Sequence, residues 1–105
     1  MRIVDFRRVL NPTNIMRVWF ELERGNVVRF MVQLESLFEE KWTPVVRYDT
    51  AHNFAHRDLL HPYDETIKTK METENYNQAL TTALEDIAKH WPIYRRRYES
   101  WLRKN

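Results

Sequence analysis

Three of the four histidines fall within ten residues, in the stretch Arg47-Tyr48-Asp49-Thr50-Ala51-His52-Asn53-Phe54-Ala55-His56-Arg57-Asp58-Leu59-Leu60-His61-Pro62. If the segments flanking Thr50 to Ala55 pair as a β-hairpin, one register sets Asp49 opposite His56 and Arg47 opposite Asp58, and all four share a face. Such a face combines a proton-transfer group, a carboxylate to orient the imidazole, and a guanidinium to grip a phosphate. Those are the parts of a metal-independent phosphodiesterase. One histidine takes the proton of a ribose 2′-hydroxyl, another protonates the leaving oxygen, and Arg47 stabilises the charged phosphorane. Arg47, Asp49, His52, His56 and His61 are therefore the candidate catalytic residues, with His52 and His61 competing for the second role. Tyr48 and Phe54 suit base stacking. Arg57 and the C-terminal Arg95, Arg96 and Arg97 complete a candidate substrate-binding set.

Two other readings of the stretch remain open. Arg47 with Asp58, and Asp49 with His56, also make two cross-strand ion pairs worth roughly a few tenths of a kcal/mol each at an exposed site. Alternatively, His52, His56 and His61 with Asp49 or Asp58 offer ligands suited to zinc, manganese or iron. The spacing matches no zinc motif, and His-x-x-x-His needs a helix where Asn53-Phe54 and the following β pattern argue for a loop. No metal or cofactor is expected on this reading.

Composition removes several other chemistries. The absence of Cys excludes thiol nucleophiles, disulfides and Cys-ligated metals, and fits a reducing cytoplasm. A single Gly excludes a P-loop and a dinucleotide-binding fingerprint. Ser36 and Ser100, the only serines, lie in no nucleophile elbow. No apolar run reaches the roughly 18 residues of a membrane span, and the charged start Met1 to Arg8 does not read as a signal peptide, so neither membrane insertion nor secretion is expected.

The formal net charge of +2 is unevenly placed. Residues 92–105 carry Arg95, Arg96, Arg97, Arg103 and Lys104 against Glu99, a net of +4, which leaves −2 for the preceding 91 residues. This is either a patch for phosphate or an acidic partner chain, or the solvated end of a helix with cations near its C-terminus.

The chain of 105 residues, 43% hydrophobic, suits one domain over residues 1–105, small enough for a partner to cover part of its surface. Ile15 to Leu34 alternates as a hairpin. A register pairing Leu22 with Val28, Phe20 with Phe30, Val18 with Val32 and Met16 with Leu34 makes one face wholly apolar, and requires a three-residue loop Arg24-Gly25-Asn26 with Asn26 left-handed. The opposite face then carries Glu21 with Arg29, Trp19 with Met31 and Arg17 with Gln33. Arg2 to Val9, Val45 to Asp49 and His56 to Leu60 read as further strands, Asn11 to Asn14 as a turn, and Asp64 to Thr73 as a polar linker. From Glu74 to Trp91 the residues Tyr76, Ala79, Leu80, Ala83, Leu84, Ile87 and Trp91 form one helical stripe, capped by Thr69 or Thr73 and kinked or broken at Pro92. The fold class expected is α+β: an antiparallel meander of four to five strands packed against a long C-terminal helix.

The run Pro44-Val45-Val46-Arg47-Tyr48-Asp49-Thr50-Ala51-His52, followed by His56, Asp58 and His61-Pro62, resembles the central signature of small prokaryotic TumE-type toxins and their uncharacterised relatives, as does Leu80-Thr81-Thr82-Ala83-Leu84-Glu85-Asp86. The resemblance implies a cytoplasmic toxin-like protein that acts on RNA or another intracellular target and is neutralised by an antitoxin partner. Arg47, Tyr48, Asp49, His52, His56 and His61 match, whereas Asn53-Phe54-Ala55 and Arg57 depart from the pattern. The competing expectation is a non-catalytic interaction module, a homodimer using the Trp19 and Met31 face or the aromatic C-terminal helix.

Overall fold

The computed structural model describes residues 1–104. The chain forms the strands β1 (Arg2–Asn11), β2 (Asn14–Glu23), β3 (Asn26–Phe38), β4 (Lys41–Asp49), β5 (His56–Leu59) and β6 (Ile67–Lys70), and the 3.6-residue stripe produces α1 (Tyr76–Arg103). The strands form one antiparallel sheet in chain order, so β1 and β6 are its edges. The chain is α+β as expected, with six strands rather than four to five. The additional one is β6, inside the segment read as a linker. All four of its residues are exposed, so no apolar alternation marks it in the sequence.

The helix lies over β3 and β4. Met16, Val18, Phe30, Val32, Leu34 and Val46 of the sheet pack there against Ala79, Leu80, Ala83, Ile87, Tyr94 and Tyr98. Asn75, not Thr69 or Thr73, caps the helix, its side chain accepting from the Gln78 amide at 2.8 Å. The next turn is fastened to the sheet by Asn77, whose side-chain oxygen accepts from the Val27 amide at 2.8 Å. The helix continues through Pro92 as a single element, so of the expected kink or break the break is absent. The second half is fastened to the sheet by its own contacts: Tyr94 and Tyr98 are buried, and the Tyr98 ring stacks on Phe38 at 5.5 Å. These contacts outweigh the one backbone donor that proline removes.

The β2–β3 register agrees with the expected apolar face from Phe20–Phe30 through Met16–Leu34. Near the turn it differs. Glu23 pairs with Asn26 across a two-residue loop, Arg24-Gly25, with φ values of 52° and 79°, so Arg24 and Gly25 rather than Asn26 are left-handed. Leu22 pairs with Val27, and Val28 is absorbed by a bulge that restores Glu21 opposite Arg29. A bulge thus solves the parity problem that a longer loop was expected to solve. Pro44 also sits at a bulge, where β3 and β4 shift register and its missing donor is tolerated.

Candidate nucleic-acid interface

The sheet face away from the helix carries the polar side chains, and cross-strand pairing arranges them in rows. One row runs Asp5, Trp19, Met31, Asp49, His56 and Lys70 from β1 to β6. The next runs Arg7, Arg17, Gln33, Arg47, Asp58 and Lys68. The expected hairpin register is therefore present, with Asp49 opposite His56 and Arg47 opposite Asp58. The loop between them contains a 3-10 turn, Ala51–Asn53, in which His52 and Asn53 take left-handed φ values of 66° and 67°.

His56 is only 1% exposed, and both of its ring nitrogens are engaged. Nε2 lies 2.8 Å from Asp49 Oδ1 and 3.2 Å from the Ala51 carbonyl, two acceptors, so this nitrogen carries a hydrogen. Nδ1 lies 3.0 Å from Asp58 Oδ1 and 3.4 Å from Lys68 Nζ. The Phe54 ring, expected to stack on a base, sits instead against the imidazole at 5.1 Å. Lys68 also approaches Asp58 Oδ1 at 3.3 Å. Arg47 does not ion-pair with Asp58: its Nε donates to Gln33 Oε1 at 2.6 Å, and Gln33 donates onward to Glu35 at 2.7 Å. The cause is local, because Asp58 is already taken by the imidazole and the ammonium.

The other expected site residues do not join this cluster. His52 is exposed on the loop. His61 stacks on Trp101 at 4.4 Å near the end of the helix, and it follows His56 by five residues of chain, which spans about 17 Å when extended. Tyr48 and Arg57 point to the helix side by the alternation of their strands. There they line a cleft of about 400 Å³ with Thr69, Met71, Gln78 and Thr82. Arg95 is structural: its guanidinium donates to the carbonyls of Thr13 and Leu37 and to Asn14 Oδ1, and it covers the Phe38 ring at 4.5 Å. Arg96 and Arg97 are exposed on the helix. The basic C-terminal cluster thus divides between an internal brace and a solvated surface.

Asp49, His56 and Asp58 form the one group of three potential metal ligands found among the described residues. His52 and His61 take no part in it, so the three-histidine arrangement is not assembled. The carboxylates flank opposite ring nitrogens, and the Lys68 ammonium occupies the side where a cation would bridge Nδ1 and Asp58. This donor set fits an internal ion cluster better than a metal centre.

Under the helix, sequence reasoning missed a second network. Tyr48 donates to Asp86 Oδ2 at 2.7 Å, Tyr94 donates to the same oxygen, and His90 Nδ1 meets Asp86 Oδ1 at 2.8 Å. Burial pushes the Asp86 carboxyl up, but the hydrogen bonds from Tyr94, Tyr48 and His90 outweigh it and hold the group below its ordinary value. Burial, followed by the bond to Asp86, pushes the Tyr48 and Tyr94 hydroxyls well up. Arg57 Nη1 reaches Tyr94 Oη at 3.4 Å, while its Nε is buried without a partner. The signal for this network was present at Asp86, a carboxylate within the helical stripe, and was obscured because Tyr48 read as a base-stacking residue.

Sequence reasoning placed Arg17 beside Gln33 on the polar face but assigned neither it nor Arg7 to a site. They stand directly opposite each other, beside Gln33 and then Arg47. None of Arg7, Arg17 and Arg47 forms an ion pair among the described residues. The carboxylates of the face are mostly spoken for: Glu21 is held by Arg29 at 2.8 Å, and Asp49 and Asp58 by His56. A row of uncompensated guanidiniums, flanked by half-exposed Trp19, crosses the open face.

Among the described residues no helix is long and apolar enough to cross a membrane. Comparison with curated proteins and with solved structures gives no match, and nothing in them supports a toxin family for this chain. A family model does match, over residues 1–104, and the chain belongs to the domain-of-unknown-function family DUF7718.

Proposed function

We propose that the protein binds single-stranded RNA on the open face of its sheet, without cleaving it. The observation that carries this reading is the pairing of Arg7 with Arg17 in one row with Arg47. Like charges directly opposite on a sheet are destabilising, and a phosphate bridging them would turn that cost into a gain. Adjacent strands lie roughly 4.8 Å apart, so the row offers a series of cationic positions along a nucleic-acid backbone. Trp19, in the neighbouring row, provides a surface on which a base can stack. The TumE-type resemblance, which implies RNA or another intracellular target, is compatible with this reading.

Cleavage has less support. An acid–base histidine must reach the proton it transfers, whereas His56 is sequestered with both nitrogens bonded within the protein. The reading is tested by mixing the protein with a short single-stranded RNA, and with DNA of the same length, and following both complex formation and strand integrity. Binding that weakens at least tenfold in Arg17→Ala and Arg47→Ala, with intact RNA, is the expected result. Unchanged binding in both variants would overturn it, and cleavage lost in His56→Ala would replace it with the catalytic reading. An antitoxin partner remains a proposal from the resemblance, with Arg96 and Arg97 as exposed cations available to an acidic chain.

A further inference from the structure

The two edges of the sheet are unlike. β6 has four residues and presents Lys68 and Lys70, the short and charged form of edge that discourages pairing. β1 has ten residues, pairs only with β2, and is exposed along almost its whole length. The helix covers β3 and β4 and does not extend over β1, so this strand is uncovered on both faces as well as at its edge. Three large apolar side chains stand there, with Ile3 57%, Phe6 42% and Val9 71% exposed. A ten-residue strand held only by one neighbour's ladder is poorly supported, and a second strand on its free side would satisfy its backbone donors and acceptors.

The chemistry of β1 identifies what that strand is. In an antiparallel ladder, residues whose amides point outward pair with each other, so two copies of β1 can pair only with an even sum of residue numbers. The sum of 12 places Phe6 against Phe6 at a two-fold axis, Ile3 against Val9, and Asp5 against Arg7 on both sides of it. A sum of 10 would oppose Asp5 to Asp5, and a sum of 14 would oppose Arg7 to Arg7. Only the middle register joins opposite charges and apolar pairs together.

We propose that a second copy of this chain adds to β1 in that register, joining two sheets into one of twelve strands by an isologous contact. The proposal goes beyond RNA binding and does not depend on it. Asp5 of the second copy would occupy Arg7, leaving Arg17 and Arg47 of each copy open to phosphate.

The absence of Cys from the chain makes the register directly testable. Opposed Cα atoms in an antiparallel pair are about 4.5 to 5.5 Å apart, within the range a disulfide bridges. Under mild oxidation Phe6→Cys should form a covalent dimer in high yield, and Ile3→Cys, which faces Val9, should remain monomeric on a denaturing gel. Asp5→Lys should raise the dissociation constant of the dimer at least tenfold, and adding Arg7→Asp to it should restore association. A single species of 13.0 kDa for the unmodified protein at all concentrations would overturn the proposal. A dimer in which Phe6→Cys fails to cross-link and the charge reversal fails to restore association would overturn the register. Neither outcome bears on whether Arg17→Ala weakens RNA binding, so the two proposals fail separately.

Discussion

Arg7 and Arg17 face each other across the β1–β2 ladder, two guanidiniums on adjacent strands with no carboxylate paired to either among the described residues. The other cross-strand positions on this part of the sheet are apolar, polar or of opposite charge, as with Glu21 and Arg29. The placement works against the free fold and in favour of an anionic ligand. That opposition is the basis of the functional reading.

Arg17→Gln removes the repulsion while keeping a long polar side chain. The free protein should gain roughly 0.3 kcal/mol in urea unfolding, within the range for cross-strand pairs, and RNA affinity should fall. A gain in stability together with a loss of binding is the signature of a residue retained for function. A loss of both would mean that Arg17 is held by contacts on the open face and is structural.

His56→Ala should destabilise the fold by about 3 kcal/mol, because it leaves the Asp49 and Asp58 carboxylates facing an emptied, buried position. RNA binding measured below the melting temperature should be nearly unchanged. Equilibrium unfolding beside a binding isotherm separates this outcome from catalysis, under which activity would vanish while stability survived.

The network beneath the helix makes stability depend on pH at both extremes. The Asp86 carboxyl lies below its ordinary value of 3.8 in the folded state, so its contribution is present above about pH 4 and is lost as pH falls through the folded value. The hydroxyls of Tyr48 and Tyr94 lie above their ordinary value of 10.0, so their contribution is present below about pH 10 and is lost as they ionise. Thermal melts should show Asp86→Asn less stable at neutral pH and flatter on acidification than the parent. Parallel acid limbs would place the sensitivity in other carboxylates.

Arg95→Ala should cost about 2 kcal/mol, since its guanidinium serves two carbonyls and the Asn14 side chain at distances of 3.0 to 3.2 Å. Arg96→Ala and Arg97→Ala should stay within about 0.5 kcal/mol of the parent, as exposed positions do. Urea unfolding of the three variants tests this directly. Equal effects would mean that the arginines act as one surface patch.

The parts of the fold that were legible are those where one face is buried. Alternation from Met16 to Leu34 specified the central hairpin register, and the pairing of Asp49 with His56 followed from the same logic. The β6 strand was not legible because an edge exposed on both faces leaves no pattern. Nor was the Val28 bulge, which repairs the register without altering the alternation on either side. At the site, residue types located the Arg47 to Asp58 face but not its state. Whether His56 is free or enclosed depends on Phe54, Lys68 and the Ala51 carbonyl, and their approach is a tertiary matter. The Arg7 and Arg17 pair lies in two strands whose mutual register only the sheet reveals.

The most direct test of the central claim is the salt dependence of binding to a labelled single-stranded RNA, read by fluorescence anisotropy between about 50 and about 200 mM salt. Two phosphates, one held at Arg17 and one at Arg47, predict a slope of log affinity against log salt near −1.4, at about −0.7 per phosphate, and a slope shallower by about 0.7 in Arg17→Ala. No binding at low salt, or binding with the same slope in the parent and in Arg17→Ala, would contradict the assignment of the open face to RNA.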